Sequence, residues 1–291
     1  MKKFELPFYF ILILFVIIKY SGDSSDEPRE RRPSLPPPSV GETPLPDLSM
    51  PRNRLQPKEG YTVNIKGRQG NGTGTGFAYD GKGQYVTARH VTEGCRSVFI
   101  LTEARRGKRA TVSPMVNSDF SVLDTADLSA PRVVVAADNP QRGDVGYFMG
   151  YPQGRPADVV AVAFGRSNMN SVGSYRMREP VTVWHIKQRL PLASGRAAKK
   201  QRGSEYDLAG MSGGPAFNSN GEIIGTVVAG QPRRARVITT DIRNFNRNTN
   251  LAPESSKTSA IAQPSLSLEN FHVMGKKLRE NLTIAKIYCK A

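Results

Sequence analysis

Residues Ala209–Gly230 read AGMSGGPAFNSNGEIIGTVVAG. Gly210, Gly213 and Gly214 crowd around Ser212, and a turn at Asn220-Gly221 leads into a β-branched run from Ile223 to Val228. Asn-Gly followed by such a run predicts a hairpin entering a strand. Two readings of the first half compete. Either it is a surface hairpin, or the glycines let the backbone turn sharply so that Ser212 can act as a nucleophile.

A serine hydroxyl is a poor nucleophile near neutral pH and needs a base, an acid to orient that base, and donors for the oxyanion. The chain has three histidines, His90, His185 and His272. His185 lies inside an apolar strand-like run, and His272 lies near the C-terminus. His90 lies within the stretch GQYVTARHVTEG, where a short strand, Tyr85 to Thr87, delivers it to a turn. A strand end is a rigid place to hold a base.

The surrounding chain favours an all-β fold. Between about Lys58 and Asn250, short runs such as YTVNIKG, QYVTARHV, SVFILTE, DVVAVAFG and PVTVWHIKQ alternate with Gly, Asn, Asp and Pro turns. No long helical periodicity interrupts them, and the span suits two small barrels.

GTGFAYDGKGQYVTARHV, GDVGYFMGYPQG (Gly143–Gly154) and GMSGGPAFNSNGEIIGTVVAG resemble, in that order, three segments of chymotrypsin-like serine peptidases. These are the Gly-Ser/Thr-Gly-Phe hairpin with Thr-Ala-x-His, the opening of the second barrel, and the Gly-x-Ser-Gly-Gly-Pro nucleophile loop. The style is nearest to the high-temperature-requirement peptidases and the small viral and bacterial trypsin-like enzymes. The resemblance spans about Gly74 to Gly230. It implies two six-stranded antiparallel Greek-key barrels, barrel 1 over about 58–137 and barrel 2 over about 138–250, with the active site between them.

It also implies roles. Ser212 would be the nucleophile, His90 the general base, and the Gly210 and Ser212 N–H groups the oxyanion donors. The acid falls in SDFSVLDTADLSAPRV. In the family it directly precedes a strand in an Asp-Leu/Ile-Ala-like context, so Asp127 fits best, ahead of Asp124 and then Asp119. The strand after the nucleophile would wall the S1 pocket with Thr226, Val227, Val228, Ala229 and Gly230, and Tyr206 would sit at its floor. No aspartate stands at the Tyr206 position, although Asp207 is adjacent, so a small or medium uncharged P1 residue is expected. The family's frequent Asp or Asn before the serine is replaced by Met211. The cysteine that follows the histidine in trypsin-type enzymes is replaced by Val91.

The rest of the chain adds context. Lys2-Lys3 and an apolar run from Leu6 to Ile18 predict a membrane anchor or secretory signal over residues 1–20, an uncleaved anchor being favoured. Residues 21–57, rich in Pro, Ser and charge, read as a linker. Residues 251–291 read as a basic tail with a helix, apolar at Leu268, Phe271, Met274, Leu278, Leu282 and Ile284. The formal charge of +16 raises affinity for polyanions and anionic membranes, but no aromatic-interleaved RNA-binding motif is present. The expected partners are a polypeptide substrate, a membrane through residues 4–18, and nucleic acid through the basic surface. Cys95 and Cys289 make neither a disulfide framework nor a metal site, and two unpaired thiols are expected. No cofactor is implied. The competing function is a polyanion- or RNA-binding module on a protease fold; within the peptidase reading, viral polyprotein processing and a bacterial envelope role both stand.

Overall fold

Strand after strand is built from β-branched and aromatic residues bounded by glycine turns, and the longest, ADVVAVAFGRSNMNSVG, begins with a run that is apolar on both faces. A computed structural model describes residues 45–50, 60–66, 70–102, 106–190, 206–241 and 265–291. In chain order its elements are β1 (Gly60–Ile65), β2 (Gly72–Ala78), β3 (Gln84–Ala88), α1 (Arg89–Thr92), β4 (Ser97–Leu101), β5 (Gly107–Pro114) and β6 (Phe120–Asp124). There follow β7 (Val145–Gly150), β8 (Ala157–Gly173), β9 (Arg178–Leu190), β10 (Pro215–Phe217), β11 (Ile223–Gln231), β12 (Arg236–Thr240), α2 (Phe271–Glu280) and β13 (Ile284–Lys290).

The first barrel closes in the order β13-β2-β3-β6-β5-β4. The second runs β8-β7-β10-β11-β12-β9, and β9 returns to β8, from Asp158↔Leu190 to Asn170↔Arg178. This is the two-barrel, chymotrypsin-like architecture that the strand pattern and the motifs predict. Both barrels lie within one compact unit, Leu45–Ala291. The other unit, Met1–Pro44, with the expected anchor and most of the linker, lies outside the described residues. Among the described residues no helix is long and apolar enough to cross a membrane. Leu48, read as linker, packs against the core.

Three expectations are corrected. First, β1 does not belong to barrel 1. It adds to β8 in parallel, from Gly60↔Asn168 to Ile65↔Gly173. Second, the C-terminal segment is not an appended tail. β13 pairs with β2 on one side and β4 on the other and so closes barrel 1. α2 buries Phe271, Met274 and Leu278 in a cluster that holds Phe77 and Phe120 of barrel 1 together with Tyr147, Met149 and Phe217 of barrel 2. Asp158, buried on β8, accepts from Nη1 and Nη2 of Arg279 on α2 at 2.6 and 2.9 Å. Third, Cys95 and Cys289 are joined by a disulfide, with Cα atoms 5.5 Å apart. The reason is topological: β13 lays Cys289 opposite Val98 of β4, beside the turn that carries Cys95, although 194 residues separate the two cysteines.

Burial pushes the Asp158 carboxyl above its ordinary value, and Arg279 pulls it back. Removing one partner strands the other in a dry site. Asp158→Ala is therefore expected to cost about 3–5 kcal/mol, measured by urea unfolding. Burial also raises the phenols of Tyr85, Tyr147 and Tyr151 above their ordinary 10.0. A folded-state value above the unfolded one gives stability that is complete below pH 10 and lost as pH rises beyond it. The share of phenolate absorbance that these three tyrosines contribute is expected to appear together with loss of β-sheet circular dichroism in an alkaline titration, rather than before it, and to be lost in their Phe variants.

Candidate active site

β3 ends at Ala88, and the single turn of α1 presents His90. In the antiparallel β3–β6 pair, Ala88 faces Phe120 and Gln84 faces Asp124. The residue entering β6 therefore lies beside the histidine. That residue is Asp119, whose side chain is 1% exposed. Its Oδ2 is 2.7 Å from His90 Nδ1, and its Oδ1 accepts the His90 main-chain N–H at 2.9 Å. The Asp119 carbonyl accepts the Arg89 N–H, which ties the acid's loop to α1 a third time.

Asp127, the acid preferred from sequence, is not the partner of His90. It lies beyond the far end of β6, a strand length of ~13 Å away at about 3.4 Å per residue. Its side chain is 64% exposed and pairs with Lys108, which holds its carboxyl below the ordinary range. Asp124 is at that same far end, exposed and opposite Thr111. Part of the signal was present in the sequence, although the register that brings Asp119 to His90 was not. An acid that directly precedes a strand precedes Phe120-Ser121-Val122-Leu123, the strand that pairs with His90's own.

The serine loop is pressed against the same strand end. Thr75 of β2 donates its N–H to the Ser212 carbonyl at 2.9 Å. Gly213, at φ +84°, lies so close to β2 and β3 that a Cβ there would stand 2.2 Å from the Thr75 carbonyl oxygen and 2.6 Å from the Ala88 nitrogen. Ser212 is thus brought to the place where β3 hands over to His90. Thr75 also donates its hydroxyl to the Gly210 carbonyl at 2.8 Å, and accepts the Tyr151 N–H on that hydroxyl at 3.0 Å.

Gly210 has φ +94°, and a Cβ there would meet the Tyr151 carbonyl oxygen at 2.7 Å. Only glycine fits both constraints. The N–H groups of Met211, Gly213 and Gly214 are consumed by Leu208, Val227 and Met211 carbonyls. Those of Gly210 and Ser212 donate to no described residue. Met211 is fully buried in the barrel 2 core, so its side chain is a packing group turned away from solvent.

The expected pocket residues fall on and beside β11. Val227 exchanges backbone hydrogen bonds with Gly213 and Gly214. Thr226 is fully buried, Val228 packs in a second cluster with Tyr175 and Met177, and Gly230 faces Val237 of β12. β10 pairs with β11 only as far as Pro215↔Thr226, so from Val228 to Gly230 that edge has no strand beside it among the described residues. Tyr206 is half-buried against the cluster that includes Val227 and Met211. The neighbouring Asp207 carboxylate is occupied, accepting from the Ala209 N–H and the Gln153 amide.

His185 is buried beside the Ala235 carbonyl, and His272 is exposed on α2. Among the described residues no cluster could hold a metal ion. Of the basic residues, Lys108–Arg109, Arg233–Arg234 and Lys276–Lys277 are exposed on separate elements, while Arg236 is buried over the Phe164 ring.

A buried carboxylate on one imidazole nitrogen, a serine loop at the same strand end, and two undonated N–H groups in that loop form one constellation. The family model for a trypsin-like peptidase domain matches residues 74–225. Similar solved structures include the active form of the protease Rv3671c from M. tuberculosis, at 18% identity over 67% of this chain and 76% of that one, TM-score 0.49. Others are the MamO protease domain from Magnetospirillum magneticum (14%, 62% and 95%, TM-score 0.43) and the serine endoprotease from Yersinia pestis (17%, 60% and 55%, TM-score 0.41). No curated protein matches the chain. The matched segment is half of the chain and runs from the GTGF hairpin through the serine loop into β11: the chain belongs to the trypsin-like peptidase family.

Proposed function

We propose that the protein is a serine endopeptidase that works through an acyl-enzyme, with Ser212 as nucleophile, His90 as general base and Asp119 as orienting acid. The observation that carries this reading is the 2.7 Å contact from buried Asp119 to His90 Nδ1, at the strand end that holds the Ser212 loop.

With Nδ1–H donated to Asp119, the proton-free nitrogen of His90 is Nε2. Ser212 Oγ attacks the scissile carbonyl carbon as its proton moves to Nε2. The tetrahedral oxyanion receives the Gly210 and Ser212 N–H groups, which donate to no described residue. The imidazolium then gives its proton to the leaving amine, the C–N bond breaks, and water repeats the sequence on the ester. Asp119 stays ionised and stabilises the imidazolium.

Substrate adds as a strand to the open edge of β11 from Val228 to Gly230. Tyr206 and Val227 then border the P1 side chain. With Asp207 already satisfied, the described residues offer the pocket no free carboxylate, which supports a small or medium uncharged P1 residue. The apolar run of residues 4–18 tethers the enzyme to a membrane or directs its export in this reading.

A fluorophosphonate probe is expected to label the protein at Ser212, and Ser212→Ala and His90→Ala to abolish labelling. Asp119→Asn should lower kcat by about 10⁴-fold through the wrong histidine tautomer, while Asp127→Asn should stay within about twofold. Absence of labelling in folded protein, or equal damage from both aspartate variants, would sink the assignment. Thr75→Val keeps the shape but removes the hydroxyl that bridges Gly210 and Tyr151. It is expected to cost about 1–3 kcal/mol in urea unfolding and to lower kcat with little change in KM.

A further inference from the structure

We propose that Tyr175, carried by the β8–β9 turn of barrel 2, is a positioning residue for Asp119: its hydroxyl donates to Oδ1 and so commits Oδ2 to His90. This rests on the peptidase reading for its effect on rate, but not for its effect on the histidine.

Asp119 Oδ1 accepts two hydrogen bonds, from the Tyr175 hydroxyl at 2.5 Å and from the His90 main-chain N–H at 2.9 Å. Oδ2 is left to face His90 Nδ1. A carboxylate held by three donors cannot rotate without breaking one of them. Tyr175 is itself fixed. The Arg89 guanidinium lies 4.0 Å over its ring, and its carbonyl accepts the Ser171 hydroxyl at 2.9 Å. Ser171 also accepts the Met177 N–H on that hydroxyl, which closes the turn on itself.

The same hairpin supplies a second contact. Glu179 of β9, fully buried, accepts from the Ser118 hydroxyl at 3.0 Å and from the Asp119 N–H at 3.4 Å. The acid of barrel 1 is therefore oriented by barrel 2. The charged groups around this pair are Asp119 on its loop, Arg89 and His90 on α1, Glu93 just after it, and Glu179 on β9. Burial first, and the Asp119 charge second, push the Tyr175 phenol far above its ordinary value, so it remains a neutral donor.

Donation by Tyr175 withdraws part of the Asp119 charge that would otherwise stabilise the His90 imidazolium. Tyr175→Phe keeps the ring under Arg89 and removes only the donor. Its His90 pKa, read from imidazole ring protons by NMR, is expected to rise, with kcat lower by about tenfold and KM unchanged. A ring-fluorinated tyrosine at position 175, a stronger donor, should move the His90 pKa the other way.

An unchanged His90 titration and unchanged kcat in Tyr175→Phe would overturn the proposal. If that variant does not fold, an unchanged titration with the fluorinated residue would overturn it equally. A shifted titration in a protein that no fluorophosphonate labels would keep Tyr175 in this role and remove the peptidase reading instead.

Discussion

Thr75 is the point at which the two barrels become one site. It is fully buried on β2, and each of its polar groups is used. Its N–H holds the Ser212 carbonyl, its carbonyl accepts the Thr87 hydroxyl, and its own hydroxyl links Gly210 to Tyr151. One barrel 1 residue thereby sets the height of the serine loop, the orientation of the glycine before it, and the start of the turn after β7. Buried polar groups bonded in this way are costly to rearrange, because any shift leaves a donor or acceptor without a partner. The left-handed glycines are the complement of this clamp. Gly213 can approach β2 and β3 because it carries no Cβ, and Gly210 turns where any other residue would meet Tyr151.

The second constraint comes from the end of the chain. β13 closes the barrel that β2 opens, so barrel 1 is incomplete until the last residues are in place. Three of the links that fasten that segment span long stretches of chain. The disulfide joins Cys289 to the turn after α1, the Tyr85 hydroxyl donates to the Leu282 carbonyl, and Arg279 forks onto Asp158 of barrel 2. These contacts join residues more than a hundred positions apart. A fold closed by such distant pairings has much chain entropy to lose before its contacts form. His90 sits five residues from Cys95, so the turn that carries His90 and the closing strand share one anchor.

Local pattern made much of the molecule legible. The alternation of β-branched residues with glycine turns marks the strands, Asn220-Gly221 marks a hairpin, and the order of His90 before Ser212 marks the two ends of the site. These are signals carried within ten or twenty residues, where propensity and turn chemistry act. The carboxylate beside His90 was harder to read because three aspartates lie within nine residues. Choosing among them depends on which end of β6 meets the end of β3, and that is a matter of register. Asp119 and Asp127 differ little in local sequence, yet one is buried on a histidine and the other is exposed on a lysine.

The sequence by itself determined the β-rich class, the sharp glycine loop around Ser212 and the strand end that carries His90, because each follows from backbone geometry and side-chain spacing over a short span. Only the tertiary structure decided that Asp119 serves His90, that Tyr175 and Glu179 reach it from the other barrel, that Cys95 meets Cys289, and that β13 completes barrel 1 while β1 joins barrel 2. Those pairings are set by strand register and by burial shared between distant segments, and no local stretch of chain contains both partners.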